Sequence, residues 1–156
     1  MAKGPFMEYI RGQLALSAAN TFTEIVLQTP TSKTENMAML IHSIEFEPSY
    51  QIDLTPAESS VNMQVTRSTQ SAIIMLIDPD LIAKTRSRFH LNAVANWLTT
   101  SGERKQTFDP PLLYPRSQIY LGMSTVAFVS VISGACRIGY TLEKVSREDF
   151  ISALVE

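Results

Sequence analysis

The last third of the chain carries the pattern that most constrains the fold. Residues 136–143 alternate strictly between apolar and polar side chains. A period of two indicates a β-strand with one buried face. The predicted buried residues are Cys136, Ile138, Tyr140 and Leu142. Arg137 and Glu143, on the other face, are predicted to be exposed.

The segments on either side of this strand predict a hairpin and a helix. Residues 126–132 are almost wholly apolar, which is typical of a strand covered on both faces. Ser133-Gly134 suits a tight turn, so the two strands are predicted to pair antiparallel. Further on, Ser146 with Asp149 three residues later predicts a helix cap. A short docked helix should follow.

The rest of the chain predicts more short strands joined by irregular loops. Alternating or apolar runs occur at residues 21–29, 37–46, 61–66, 71–77, 88–98, 104–108 and 119–121. A helical turn is predicted at 81–84, and the prolines of 109–115 predict an extended loop. About eight strands with this spacing favour one antiparallel sandwich or barrel.

Residues 1–20 are predicted to form an N-terminal arm, ahead of a single domain over residues 21–156. Pro5 and a partial helical spacing suggest a helix in the arm. We predict that the arm contacts a neighbouring subunit, since exposed apolar strips are uncommon on monomers. The candidate contact residues are Phe6, Tyr9, Ile10, Leu14 and Leu16. Deleting the arm should then leave a folded domain that assembles poorly.

Charge and composition bear on the kind of partner. The chain of 156 residues has a net charge of −2 and only 18% charged residues. An acidic chain without clustered Lys and Arg is not expected to bind nucleic acid strongly. The absence of an 18-residue apolar run predicts no transmembrane helix. The lone Cys136 is predicted to be a buried small hydrophobe.

The ionisable residues are the candidates for a catalytic, metal-binding or nucleic-acid site. His42 and His90 lie on separate predicted strands without the spacing of a metal site. Glu45 and Glu47 share one strand, whereas paired glycosidase carboxylates usually come from different strands. The basic residues Arg86, Arg88, Arg104 and Lys105 are interpreted as a solvated rim. The sequence therefore predicts no catalytic residue, no metal site and no cofactor, and the protein is not expected to be an enzyme.

The order of elements resembles that of the single jelly-roll capsid proteins of icosahedral viruses. The resemblance is carried by the arm, about eight predicted strands, the Pro-rich entry DPPLLYP and the final hairpin. It implies an antiparallel eight-stranded jelly-roll sandwich with an N-terminal arm and a short C-terminal helix. It also implies a self-assembling shell subunit located in the virion, whose partners are copies of itself and other virion proteins. The arm has only Lys3 and Arg11, unlike the arginine-rich arms that neutralise a packaged genome.

The sequence leaves two other hypotheses about function open. A binding module, such as a jelly-roll lectin or a trimeric fibre head, often presents exposed aromatic residues on loops. Tyr50, Phe108 and Tyr114 are candidates for that role. An enzyme on a β-barrel is the third hypothesis, and the fold alone does not decide among the three.

Overall fold

The computed structural model describes residues 6–49, 58–91, 97–101, 103–128 and 131–155. These residues form nine strands and one helix, and almost every element is a strand. The strands are β1 (Glu8–Ala15), β2 (Phe22–Gln28), β3 (Met37–Ser49), β4 (Ser59–Thr66), β5 (Leu81–Leu91), β6 (Trp97–Ser101), β7 (Lys105–Tyr114), β8 (Gln118–Val126) and β9 (Ser133–Lys144). The helix α1 (Arg147–Val155) follows β9.

The strands form two antiparallel sheets that pack as a sandwich. One sheet has the order β1-β9-β3-β7 and the other β2-β8-β4-β5-β6. The chain passes from one sheet to the other between β1 and β2, β2 and β3, β3 and β4, β6 and β7, β7 and β8, and β8 and β9. Without β6, this order is that of an eight-stranded jelly roll. The predicted all-β jelly-roll sandwich is therefore confirmed, with β6 as an additional strand at one edge.

The core lies between the two sheets and is built from the inward residues of each strand. On β9, Ile138 is fully buried and Tyr140 is nearly so, whereas Glu143 is exposed, as predicted. Leu142 is only half-buried, because it lies near the end of the strand. Ser146 caps α1 as predicted: its Oγ accepts a hydrogen bond from the Asp149 amide at 3.1 Å.

A β-bulge in β3 reverses which positions face the core. Met39 and Ile41 are buried before the bulge, and Ile44 and Phe46 after it. The pairing of β3 with both neighbours shifts register between Ile41 and Ser43. The alternation of residues 37–46 predicts one unbroken face, on which Leu40 and His42 lie with Ile44. That prediction was wrong for the first half of β3, because one extra residue changes the inward positions from odd to even.

The predicted hairpin between residues 126–132 and β9 is wrong. β8 ends at Val126, and Ala127 takes a positive φ of 58° that turns the chain out of the strand. β8 and β9 lie in opposite sheets, so the intervening segment crosses between them. Phe128 and Ile132 are buried along this crossing. A continuous apolar run therefore marks a connection that buries Phe128 and Ile132 and leaves Val131 exposed, and periodicity cannot distinguish such a run from a strand.

Three other predicted segments also differ. Residues 71–77 form a loop rather than a strand, and residues 81–84 begin β5 rather than a helical turn. β7 includes Pro110 and Pro111, which the sequence assigned to a loop. β7 is the edge strand of its sheet, where a missing backbone N–H is tolerated. The predicted strand 88–98 is divided between β5 and β6, and residues 92–96 lie outside the described residues.

Two ionisable groups in the core predict alkaline destabilisation. Burial raises the pKa of the Cys136 thiol to about 12 and that of the Tyr140 hydroxyl to about 12. Both groups are neutral when protonated, and in the unfolded chain they ionise near pH ~8.5 and ~10. The unfolded state therefore binds fewer protons at high pH, and the free energy of unfolding should fall as pH rises from about 9 to 12.

Urea unfolding at several pH values checks this expectation. The Tyr140→Phe variant should show a shallower decline between about pH 10 and 12, because its Tyr140 contribution is removed. A free energy of unfolding that stays level to pH ~12 would contradict the burial of both groups.

Candidate functional site

The five residues predicted as subunit contacts divide between the surface and the core. Phe6 is 77% exposed and Tyr9 is 45% exposed, while Ile10 is half-buried against the core. Leu14 and Leu16 are only 4% exposed and belong to the core of their own domain. The expectation that the last two contact a neighbour is corrected, whereas Phe6, Tyr9 and Ile10 remain predicted contacts.

Leu14 and Leu16 lie in the core because the predicted arm contains a jelly-roll strand. β1 pairs with β9 along its whole length, from Glu8 opposite Tyr140 to Ala15 opposite Ser133. Alternation turns Ile10 and Leu14 inward and Tyr9 and Gln13 outward, so the spacing interpreted as helical divides between the two faces of a strand. Residues 8–16 of the predicted arm therefore contribute to the core that the arm was expected to leave complete.

Apolar side chains from β1 lie across the outer face of the four-stranded sheet. The Arg137 guanidinium makes a cation–π contact with the Tyr9 ring, and its Cζ lies 4.7 Å from the ring centroid. Gly139 pairs with Tyr9 and leaves space for it, since a Cβ there would lie 3.1 Å from the Tyr9 ring and 3.2 Å from the Met7 sulfur. Met7 and Tyr9 are each 45% exposed.

A shallow hollow of about 790 Å³ lies on the same outer face. We call it the charged hollow. It is lined by Arg11, Gly12, Gln13, Glu45, Phe46, Glu47, Arg104, Ala135, Cys136 and Arg137. Strand register places Arg11, Arg137 and Glu45 side by side on β1, β9 and β3.

Glu45 carries an ion-pair network at the edge of the charged hollow. Its carboxylate lies 3.3 Å from Lys105 Nζ and accepts a hydrogen bond from Arg137 Nη2 at 2.9 Å. Lys105 first, and then Arg137, hold the pKa of Glu45 below its usual value. The network fixes the Arg137 head group beneath Tyr9, and so links the charged hollow to the apolar residues of β1.

A second surface, which the sequence did not predict, is the connection between β4 and β5. Met75, Leu76 and Ile77 are 71%, 78% and 88% exposed, and we call these three residues the apolar tip. The sequence predicted a buried strand at 71–77, and that prediction is wrong. The absence of alternation and the closely following Asp78-Pro79-Asp80 were the available signals for a loop.

The loop that carries the apolar tip is fixed to the sheet by a row of polar residues. Register places Glu24, Gly122, Gln64 and Lys84 next to one another on β2, β8, β4 and β5. The Glu24 carboxylate accepts hydrogen bonds from Thr69 Oγ1 at 2.7 Å and the Gln70 amide at 3.0 Å. These contacts hold the start of the loop against the outer face.

Gln64 and Lys84 hold the next part of the loop. Gln64 Nε2 donates to the Ala72 carbonyl at 3.0 Å, and its Oε1 accepts from the Ile74 amide at 2.9 Å. Lys84 Nζ donates to the Ile74 carbonyl at 2.9 Å. The loop covers Gln64 completely, and so the apolar tip projects from an anchored base.

The remaining candidate residues occupy structural positions. His42 Nε2 lies 2.9 Å from Thr141 Oγ1, and the side chain of His90 is outside the described residues. Arg86 and Arg88 lie on β5 and Lys105 on β7, in different sheets, so the predicted basic group is divided. No group of three or more His, Cys, Asp or Glu suited to a metal ion occurs in the described part of the chain.

Two of the three aromatic residues that favoured a binding module, Phe108 and Tyr114, lie on the strand β7 and not in a loop. Tyr114 lies at the end of β7, is 1% exposed, and donates its hydroxyl to the Gln118 carbonyl at 2.7 Å. Phe108 packs against the core, and Tyr50 lies outside the described residues. Among the described residues, no helix is long and apolar enough to cross a membrane.

Comparison with known proteins finds resemblance in structure alone. No protein-family model matches the sequence, and no curated protein matches it. A structure of Desmodium yellow mottle tymovirus is similar over 94% of this chain and 92% of that chain, at 9% identity and a TM-score of 0.35. A Nora virus structure is similar over 89% of this chain and 57% of that chain, at 8% identity and a TM-score of 0.33.

A structure of turnip yellow mosaic virus is similar over 92% of this chain and 97% of that chain, at 12% identity and a TM-score of 0.29. Independently of these structures, the strand order of the two sheets is the jelly-roll architecture that the sequence resemblance implied.

Proposed function

We propose that the protein is a structural subunit that assembles with copies of itself, of the class that builds viral shells. The observation that carries this proposal is the apolar tip: three consecutive apolar side chains, 71–88% exposed, on an anchored loop. Ordered apolar patches rimmed by polar residues are typical of protein–protein contacts. The jelly-roll sandwich supports the proposal, since its flat outer faces suit lateral packing.

The proposal covers location and partners as well. The protein is located in the virion, and its partners are copies of itself and other virion proteins. It acts there without catalysis or a cofactor. The lectin or fibre-head alternative has lost the support of Phe108 and Tyr114, which pack inside the sandwich.

Electron microscopy of the purified full chain tests this function. Closed particles of uniform size are the expected result. Discrete trimers would favour the fibre-head alternative, and a field of single domains would contradict the proposal.

Nucleic acid should bind weakly, in keeping with the net charge of −2. Basic residues are divided between two hollows: Lys33, Arg67 and Arg116 line a small one of about 270 Å³, and the arginines of the charged hollow lie beside Glu45 and Glu47. Few phosphate contacts are therefore expected at either place. A gel-shift assay at ~150 mM salt should show no tight complex with either DNA or RNA. A tight complex at that salt concentration would contradict the expectation.

A further inference from the structure

We infer that the apolar tip of one subunit docks in the charged hollow of a second copy of the chain. This inference rests on the proposed self-assembly and names the two surfaces that make the contact. Each surface would be incomplete alone: the tip exposes apolar side chains, and the hollow is an open concave site on the outer face of the four-stranded sheet.

The positions of the two surfaces make the contact intermolecular. The apolar tip lies over the outer face of the five-stranded sheet, because its loop is anchored to Glu24, Gln64 and Lys84. The charged hollow lies on the outer face of the four-stranded sheet. The two faces point in opposite directions, so one chain cannot fill its own hollow. Docking of two different patches is a heterologous contact, which forms rings or closed shells when the rotation closes.

The floor of the hollow can accept apolar side chains. Ala135 presents only a methyl group on this face, so a methyl carbon is accessible there. Arg11 and Arg137 add the apolar stems of their side chains, with their charged groups at the rim. Ala135 and these stems are therefore the apolar contacts that the hollow offers, within a lining that is mostly polar.

The charges of the two surfaces are complementary. Asp78 directly follows the apolar tip, and Asp80 lies three residues beyond its end. Lys84, bonded to the Ile74 carbonyl, adds one positive charge at the base of the loop against these two carboxylates. The hollow has three arginines, Arg11, Arg104 and Arg137, against the carboxylates of Glu45 and Glu47, and Lys105 also pairs with Glu45. Basic groups therefore outnumber acidic groups where the acidic base of the tip would arrive, which favours this pairing over a contact between two tips.

Complementation between two variants of the full chain tests the inference. In the tip variant, Met75, Leu76 and Ile77 are each replaced by Ser. In the hollow variant, Ala135 on β9 and Gln13 on β1 are both replaced by Trp. The two Trp side chains fill the hollow from the outer face of the sheet. Each variant is checked for a thermal unfolding transition like that of the parent, and its mass is measured by light scattering alone and after mixing.

The parent is expected to form large particles, and each variant alone is expected to lose them. The mixture should regain a complex with equal amounts of both variants, because the hollow variant keeps an intact tip and the tip variant keeps an intact hollow. Val155→Ser, which removes an 81% exposed apolar side chain elsewhere, should leave assembly unchanged.

Results that contradict this inference differ from results that contradict the proposed function. A parent that assembles, with folded tip and hollow variants that assemble equally well, overturns this inference and leaves the proposed function standing. A mixture that stays monomeric also overturns it. A parent that is itself monomeric overturns the proposed function, and the inference with it.

Discussion

Deletion of residues 1–20 is expected to unfold the domain, and not to release a folded monomer. The deletion removes β1 and its pairing with β9, together with Leu14 and Leu16 from the core. Loss of a buried leucine typically costs about 2–5 kcal/mol. Two such losses approach the whole stability of an ordinary domain, about 5–15 kcal/mol. Circular dichroism and urea unfolding should therefore show no cooperative transition.

A shorter deletion is the matched control. Removing residues 1–7 leaves β1 complete and takes away the exposed Phe6 and Met7. We expect that variant to unfold cooperatively with a midpoint close to that of the full chain. If the chain lacking residues 1–20 also unfolds cooperatively at a similar midpoint, the placement of β1 in the core is contradicted.

The second large effect is expected at the centre of the sandwich. Ile138 is completely buried on β9, and β1 and β3 flank it with Ile10 and Ile44 in register. Ile138→Ala should lower the free energy of unfolding by roughly 2–5 kcal/mol, because the truncation leaves a cavity that close-packed neighbours fill only in part.

Leu142→Ala provides a comparison on the same strand and the same face. Leu142 is half-buried, so its truncation should cost less than half as much as that of Ile138. Urea unfolding of both variants measures the difference. Equal costs would contradict the burial gradient along β9.

Alternation was the reliable signal for the fold in this sequence. Residues 136–143, 21–29 and 61–66 alternate clearly, and they correspond to β9, β2 and β4. Alternation failed at His42, where the bulge in β3 changes the inward positions, since a bulge depends on pairing with the neighbouring strands. Continuous apolar runs were a weaker signal: residues 126–132 connect the two sheets, and residues 71–77 form a loop.

The candidate surfaces were less predictable than the fold. Phe6 and Tyr9 could be named from the sequence because they are large and apolar near a terminus. The apolar tip could not, since its exposure depends on Glu24, Gln64 and Lys84, which are distant in sequence and meet only through strand pairing. The charged hollow likewise requires β1, β9 and β3 to lie side by side, and the sequence predicted β1 as a separate arm.

The particle mass of the full-length protein tests self-assembly most directly. Light scattering on a dilution series through the micromolar range, coupled to size exclusion, gives this mass without labels or variants. Self-assembly predicts a discrete species many times heavier than the 17.4 kDa chain, which dissociates only on dilution. A single species of 17.4 kDa at every concentration would contradict it.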